Sequence, residues 1–346
     1  MANAGKDWVF KDETGLPSQP PYSSLPKIIP NLVPDPKLPY PLNHTWGYHD
    51  AATGNGHYEL YYEAMKTRYG TPTSMKDFSD KMQLVNADGY RGIFEASGHM
   101  LNDNGGVMLW KLNAAFPSVV WQVYDWYLQP NAGYYFMQRA CEPVHIQLNL
   151  DDSMVAIINR SYIPQTDLMV EAEVFDITGK SLFKQSQKSS LKGSDVKETI
   201  SLSGILASQE GVTFTVLHLK DKKGNVISSN TFWLQAKHDY TSMTSMKKAT
   251  VKATILKTER IKSDISYTIQ LSNSSDQLAF FINPQITISG EEVMPAFWSH
   301  NYITLTKGES IVITVKCPAV LINGKSPKLS VSGWNVALGE QYVPSK

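Results

Sequence analysis

The chain has 346 residues, more than one hydrophobic core readily accommodates, so two or three folded units are expected and three is our reading. Hydrophobic residues at 42% and charged residues at 18% describe a globular protein, and a formal net charge of +0 excludes an electrostatic footprint for nucleic acid or an anionic membrane. Two distant cysteines, Cys141 and Cys317, exclude a disulfide scaffold or a four-ligand zinc site, and no stretch approaches the ~20 apolar residues of a membrane helix.

Residues 1–143 mix short apolar strands, helical patterns and proline-rich loops. Val9-Phe10 is a strand stub that runs into Lys11-Asp12-Glu13-Thr14-Gly15, a carboxylate followed by a glycine turn. Prolines through 16–43 forbid long helices there and predict an ordered, irregular loop. Helices are predicted near 58–69 and 74–100; in the second, Phe78, Met82, Val85, Tyr90, Ile93 and Phe94 recur at helical spacing, with Ser74 as N-cap and Asp77 three residues later. Gly105-Gly106 breaks the chain before Val107-Met108-Leu109-Trp110-Lys111-Leu112, an apolar run that reads as a parallel strand covered on both faces. A helix near 131–142 closes this unit.

After Glu142-Pro143 the pattern becomes all-β. Strands are predicted at 144–150, 154–159, 168–176, 212–220 and 225–235, enough for a sandwich of immunoglobulin size spanning 144–238. Residues 237–248 are polar and read as a linker. A second sandwich, 248–346, is expected from strands at 249–258, 264–272, 278–289, 302–306, 310–315 and 328–332.

Several segments together resemble glycoside hydrolase family 2, in its exo-β-D-glucosaminidase, β-mannosidase and endo-β-mannosidase branch. Phe10-Lys11-Asp12-Glu13-Thr14-Gly15 with Pro17-Ser18 resembles the segment around that family's nucleophile, where a glutamate ends the seventh barrel strand. Gly106-Val107-Met108-Leu109-Trp110-Lys111-Leu112-Asn113 is similar to the eighth strand, and Trp121-Gln122-Val123-Tyr124-Asp125, Ala132-Gly133-Tyr134-Tyr135 and Glu142-Pro143-Val144-His145-Ile146-Gln147 continue the likeness. Phe232-Trp233-Leu234 and Met294-Pro295-Ala296-Phe297-Trp298-Ser299-His300-Asn301-Tyr302 extend it through both sandwiches. The implied fold is α/β plus all-β: the C-terminal portion of a (β/α)8 barrel over 1–143, then two immunoglobulin-like β-sandwich domains.

The resemblance implies a retaining hydrolase of terminal β-glycosidic bonds, of the β-glucosaminide or β-mannoside class, acting on an oligosaccharide or polysaccharide. Glu13 is then the nucleophile, a position that catalytic groups at the C-terminal ends of barrel strands would give it. Trp110 is read as a wall of the sugar pocket. Asn113 either hydrogen-bonds substrate or caps its turn. The Trp46-Gly47-Tyr48-His49-Asp50 cluster is placed over the mouth of the site, with His49 and Asp50 orienting sugar hydroxyls or simply holding their own loop together. An aromatic content of 11% suits stacking on sugar rings but equally suits ordinary cores.

No metal or organic cofactor is implied. Retaining chemistry needs a second carboxyl group about 5–5.5 Å from the first. The family's acid/base glutamate follows an asparagine, and no Asn-Glu dipeptide occurs here. Two barrel strands cannot close an eight-stranded barrel, which takes about 250 residues, so the expected partner is the missing N-terminal barrel half of a parent protein. Neither nucleic acid nor membrane is an expected partner. The start, Met1 to Lys6, lacks the apolar run of an export signal, and compartment stays open, a secreted or periplasmic parent included. The alternative function is a non-catalytic carbohydrate-binding or scaffolding protein built on the sandwiches.

Overall fold

The computed structural model describes residues 10–30, 44–49 and 57–344. Its first portion holds two parallel strands, β1 (Phe10–Thr14) and β2 (Gly106–Leu109), paired with Phe10 opposite Gly106, Lys11 opposite Val107 and Thr14 opposite Leu109. A parallel pair needs a crossover, supplied by α1 (Leu25–Ile28), α2 (His44–His49), α3 (His57–Tyr69) and the long α4 (Met75–His99); α5 (Ala132–Ala140) follows β2.

The start of α4 shows why the helix begins where the sequence predicts. The Ser74 hydroxyl accepts the Asp77 N–H at 3.1 Å, which satisfies one orphan donor of the first turn, and the Asp77 carboxylate accepts the Thr73 N–H just ahead of the cap at 2.8 Å. Lys81, buried, adds a 2.9 Å bond to Asp77. Burial works against the Asp77 charge, yet the Thr73 and Lys81 bonds hold its carboxyl below the usual range. From this cap the apolar stripe Phe78, Met82, Val85 and Tyr90 is buried. Helix α5 packs on α4 closely enough that a Cβ at Gly133 would lie 2.3 Å from the Tyr90 ring, so glycine is required for the contact.

One expectation fails here. The run 107–112 does enter a parallel sheet, but Met108, Trp110 and Leu112 are more than half exposed instead of covered on both faces. The reason is that β1 and β2 form a two-stranded sheet, with no further strand flanking either among the described residues.

The first sandwich comprises β3 (Val144–Leu148), β4 (Met154–Asn159), β5 (Gln165–Asp176), β6 (Ser181–Leu191), β7 (Asp195–Ser201), the short α6 (Ser203–Ala207), β8 (Thr213–Lys220) and β9 (Val226–Leu234). Antiparallel sheets β3-β4-β7 and β6-β5-β8-β9 enclose Ile146, Val155, Ile157, Val170, Val174, Leu217 and Phe232. The second comprises β10 (Val251–Ile261), β11 (Asp264–Asn273), β12 (Ala279–Ile288), β13 (Glu291–Glu292), β14 (Phe297–Trp298), β15 (Ile303–Leu305), β16 (Ser310–Pro318), α7 (Ala319–Ile322), β17 (Lys328–Ser332) and β18 (Gly339–Tyr342). Its sheets are β10-β11-β16-β14 and β13-β12-β17-β18, with β15 on β12, closed over Tyr267, Ile269, Phe280, Ile286 and Val315.

Both sandwiches are tied to the helices. Arg91 of α4, 2% exposed, donates to the Thr231 carbonyl at 2.5 Å and pairs with Asp88 at 2.7 Å, while its guanidinium lies 4.1 Å from the Phe232 ring centroid. The Trp233 indole donates to the Tyr69 hydroxyl at 2.8 Å, and Tyr69 stacks on Tyr240 with centroids 5.3 Å apart. Residues 237–248, expected to be a linker, thus hold a 3-10 turn (Thr241–Ser245) whose Met243 is fully buried. Tyr240, Met243 and Met246 anchor this polar stretch, because burying three large apolar side chains outweighs its overall hydrophilicity.

Candidate active site

The carboxyl ends of β1 and β2 carry the residues the sequence singles out. Glu13 occupies the last-but-one position of β1 and is exposed. The Trp110 N–H, just past β2, donates to the Thr14 carbonyl at 2.7 Å, which brings the two strand ends alongside each other. Gly15 makes this approach feasible: a Cβ there would sit 1.9 Å from the Trp110 carbonyl oxygen. Trp110 itself is 51% exposed, so its indole is available at the rim.

Beyond Trp110 the chain is stitched back onto the loop that leaves Glu13. The Lys111 N–H donates to the Trp121 carbonyl at 2.9 Å, and the Ser18 hydroxyl donates to the Gln122 carbonyl at 2.5 Å. Asn131, the N-cap of α5, also donates to that carbonyl, at 3.0 Å. Asp125 accepts the backbone N–H groups of Tyr127 and Gln129 at 2.8 and 3.0 Å, which shapes the turn carrying the exposed Trp126. Burial pushes the Asp125 carboxyl up, against the opposing bonds from Ser24 and these backbone groups.

The other expected residues are less uniformly placed. Asn113 is exposed, and its amide donates at 3.3 Å to the Ala114 carbonyl, a local turn contact. His49 ends α2, with Nδ1 2.6 Å from the Pro117 carbonyl oxygen and its own carbonyl accepting the Val119 N–H at 2.9 Å. It therefore tethers α2 to the loop after β2. Its neighbour Tyr48 is 77% exposed and meets the His49 ring edge-on. Trp46, expected with its neighbours over the mouth of the site as a substrate-binding residue, is instead fully buried, 5.5 Å from the Tyr58 ring and 5.9 Å from Phe78, because it seats α2 on α3 and α4. Asp50 lies outside the described residues.

Sequence reasoning passed over a second concentration of charge. His145 of β3 is fully buried between Glu142, at 3.3 Å from Nδ1, and Glu95 of α4, at 3.4 Å from Nε2. Asn230 donates to the same Glu95 oxygen at 2.5 Å, and Ser228 donates to Glu142 at 2.5 Å. The spacing of Glu142 and His145 was the available signal; Glu95 is contributed from far along the chain. This cluster bonds α4 to β3 and β9 of the first sandwich. A parallel arrangement joins Glu292 to Gln129, Ser23 and Gln285, with burial pushing the Glu292 carboxyl up to about 8. Among the described residues no cluster of three or more His, Cys, Asp or Glu side chains is arranged to hold a metal ion, and no helix is long and apolar enough to cross a membrane.

Comparison with known proteins agrees with this architecture. Residues 230–336 match the exo-β-D-glucosaminidase Ig-fold domain family. The exo-β-D-glucosaminidase of Streptomyces avermitilis is 30% identical over 319 residues, covering 84% of this chain and 35% of that protein. That of Arthroderma benhamiae is 31% identical, covering 80% and 33%. The crystal structure of the Amycolatopsis orientalis exo-chitosanase CsxA superposes with a TM-score of 0.78 at 25% identity, over 84% of this chain and 37% of that one. The chain thus spans about a third of the length of the curated relatives it matches. Its mixed α/β portion resembles part of a (β/α)-barrel, and its antiparallel portions are immunoglobulin-like. Over most of its length, therefore, the chain is a domain like those of the exo-β-D-glucosaminidases and β-mannosidases of glycoside hydrolase family 2.

Proposed function

We propose that this chain supplies the nucleophile half of a retaining glycoside hydrolase that cleaves terminal β-glycosidic bonds, of the β-glucosaminide or β-mannoside class. The observation that carries the reading is the juxtaposition of Glu13 and Trp110 at the exposed carboxyl ends of adjacent parallel strands. The Glu13 carboxylate attacks the anomeric carbon while the bond to the leaving oxygen breaks, and a carboxylic acid from the remainder of the barrel protonates that oxygen. Water, deprotonated by the same group, then displaces Glu13 and releases the sugar. Trp110 offers a flat apolar face to the ring. In this reading the Asn113 amide, which donates to the Ala114 carbonyl, and the His49 ring, which meets the Pro117 carbonyl, orient sugar hydroxyls.

In this reading the chain alone is inactive, because its acid/base partner lies on the barrel half it lacks. We divide it into a barrel portion over 1–143 and sandwiches over 144–238 and 248–346. The test is hydrolysis of p-nitrophenyl β-D-glucosaminide and β-D-mannoside by the chain joined to the missing barrel half. Glu13→Ala is expected to lower kcat by roughly 10³-fold or more, with azide restoring turnover of the activated glycoside. Unaltered kcat in Glu13→Ala removes the nucleophile assignment.

A further inference from the structure

A cavity of about 340 Å³, with none of Glu13, Trp110, Asn113 or His49 in its walls, lies where the first turns of α4, residues 21–23, the 3-10 turn and the β12–β17 face of the second sandwich meet. Junctions between folded units are where small ligands preferentially bind, and cavities of about 300–1,000 Å³ suit them.

The chemistry of its walls is specific. Asn283 of β12 lies directly opposite Ser332 of β17 in an antiparallel register, so their side chains share one face of the sheet. Gln285, two residues along β12, falls on that same face. Neither the Asn283 amide nor the Ser332 hydroxyl makes a hydrogen bond among the described residues, and the same holds for the Tyr22 and Tyr302 hydroxyls. Gln285 commits its amide nitrogen to Glu292 at 2.7 Å, which leaves its carbonyl oxygen as an acceptor. Trp334 adds an aromatic wall, held by donation of its indole N–H to the Met243 carbonyl at 2.8 Å.

Charge at the site is largely neutralised internally. Lys76 pairs with Asp80 at 2.5 Å and Asp77 with Lys81 at 2.9 Å, while Lys248 is solvent-exposed. What is presented inward is a row of neutral donors and acceptors beside aromatic surface. That combination matches a sugar ring, which has hydroxyls around its edge and apolar C–H faces.

We propose that this cavity is a binding site for a neutral saccharide, separate from the rim that carries Glu13. Tyr22 and Ser23 belong to the loop that leaves β1, so a saccharide held here contacts the same segment that follows Glu13. The proposal concerns binding alone and stands whether or not Glu13 is a nucleophile.

The test follows the indole N–H of Trp334 by NMR in the 346-residue chain during titration with cellobiose and with β-1,4-mannobiose. A saturable shift is expected with at least one disaccharide. Asn283→Ala and Tyr22→Ala should each weaken it at least tenfold, and Glu13→Gln should leave the curve unchanged. Should Asn283→Ala fail to fold, Tyr22→Ala decides, since that ring is 42% exposed. The proposal is overturned by the absence of a saturable shift at millimolar disaccharide, by wild-type curves in the folded alanine variants, or by loss of binding in Glu13→Gln. A shift produced by inorganic phosphate but not by either disaccharide also overturns it.

Discussion

Replacing His145 tests how the helices hold the first sandwich. The imidazole is completely buried with a carboxylate on each side, Glu142 at 3.3 Å and Glu95 at 3.4 Å. Burial by itself disfavours the imidazolium, but hydrogen bonds and charge from Glu142 and Glu95 prevail and raise its pKa. A raised folded-state pKa means that the contribution to stability is whole below the unfolded value of about 6.5 and is lost as pH climbs through the folded value. Removing the ring leaves Glu95, 5% exposed, with Asn230 as its remaining side-chain partner. Breaking a buried ion pair in this way costs about 3–5 kcal/mol. His145→Ala should therefore lower the urea midpoint strongly at pH 6, and the gap from wild type should narrow as pH rises past the His145 transition. His145→Gln, which retains one donor, should fall between the two. Urea unfolding of all three proteins from pH 5.5 to 9, followed by tryptophan fluorescence, reads these differences directly. A gap that stays constant with pH would show that the ring acts through packing alone and would refute the ion-pair account.

Other perturbations probe separate ties. Tyr69→Phe removes the acceptor of the Trp233 indole inside a closed aromatic cluster, leaving a buried donor unpaired, and should cost about 1–3 kcal/mol in chemical denaturation. Glu292→Gln keeps an acceptor for Ser23, Gln129 and Gln285 but cannot ionise. Because burial places the Glu292 pKa at about 8, the wild type loses stability from about pH 4.5 upward through that value, so the variant should melt higher than wild type at pH 8–9 and alike at pH 4. A lower melting temperature for the variant at pH 8–9 would contradict the assignment.

Much of this organisation is legible in the residues because local signals and burial point the same way. Ser74 and Asp77 announce the start of α4, and the stripe from Phe78 to Tyr90 fixes its buried face. Strands such as Met154–Asn159 and Lys328–Ser332 emerge at their predicted limits because alternation or apolar runs coincide with sheet interiors. By contrast Ser181–Leu191 escapes prediction. It is an edge strand, largely polar, whose conformation is set by pairing with β5 rather than by its own pattern. The edge strands β13, β14 and β18, of two, two and four residues, are too short to carry a pattern of their own. At the site, the glycine after Glu13 and the apolar run before Trp110 mark two strand ends, while their adjacency depends on sheet pairing. Trp46 misleads because an aromatic beside histidine in a loop-like segment looks the same whether it faces solvent or seats a helix; only packing against Tyr58 and Phe78 distinguishes them.

The segment between the sandwiches has a mechanical consequence. Tyr240 stacks on Tyr69, the Trp334 indole is bound to the Met243 carbonyl, and Arg139 of α5 donates to the Asn301 and Tyr302 carbonyls. The last third of the molecule is thereby clasped to the helices through side chains, independent of peptide continuity. A protease that nicks the backbone near Lys237 would leave two fragments migrating as one particle on a sizing column, parting only when the aromatic clasp is melted.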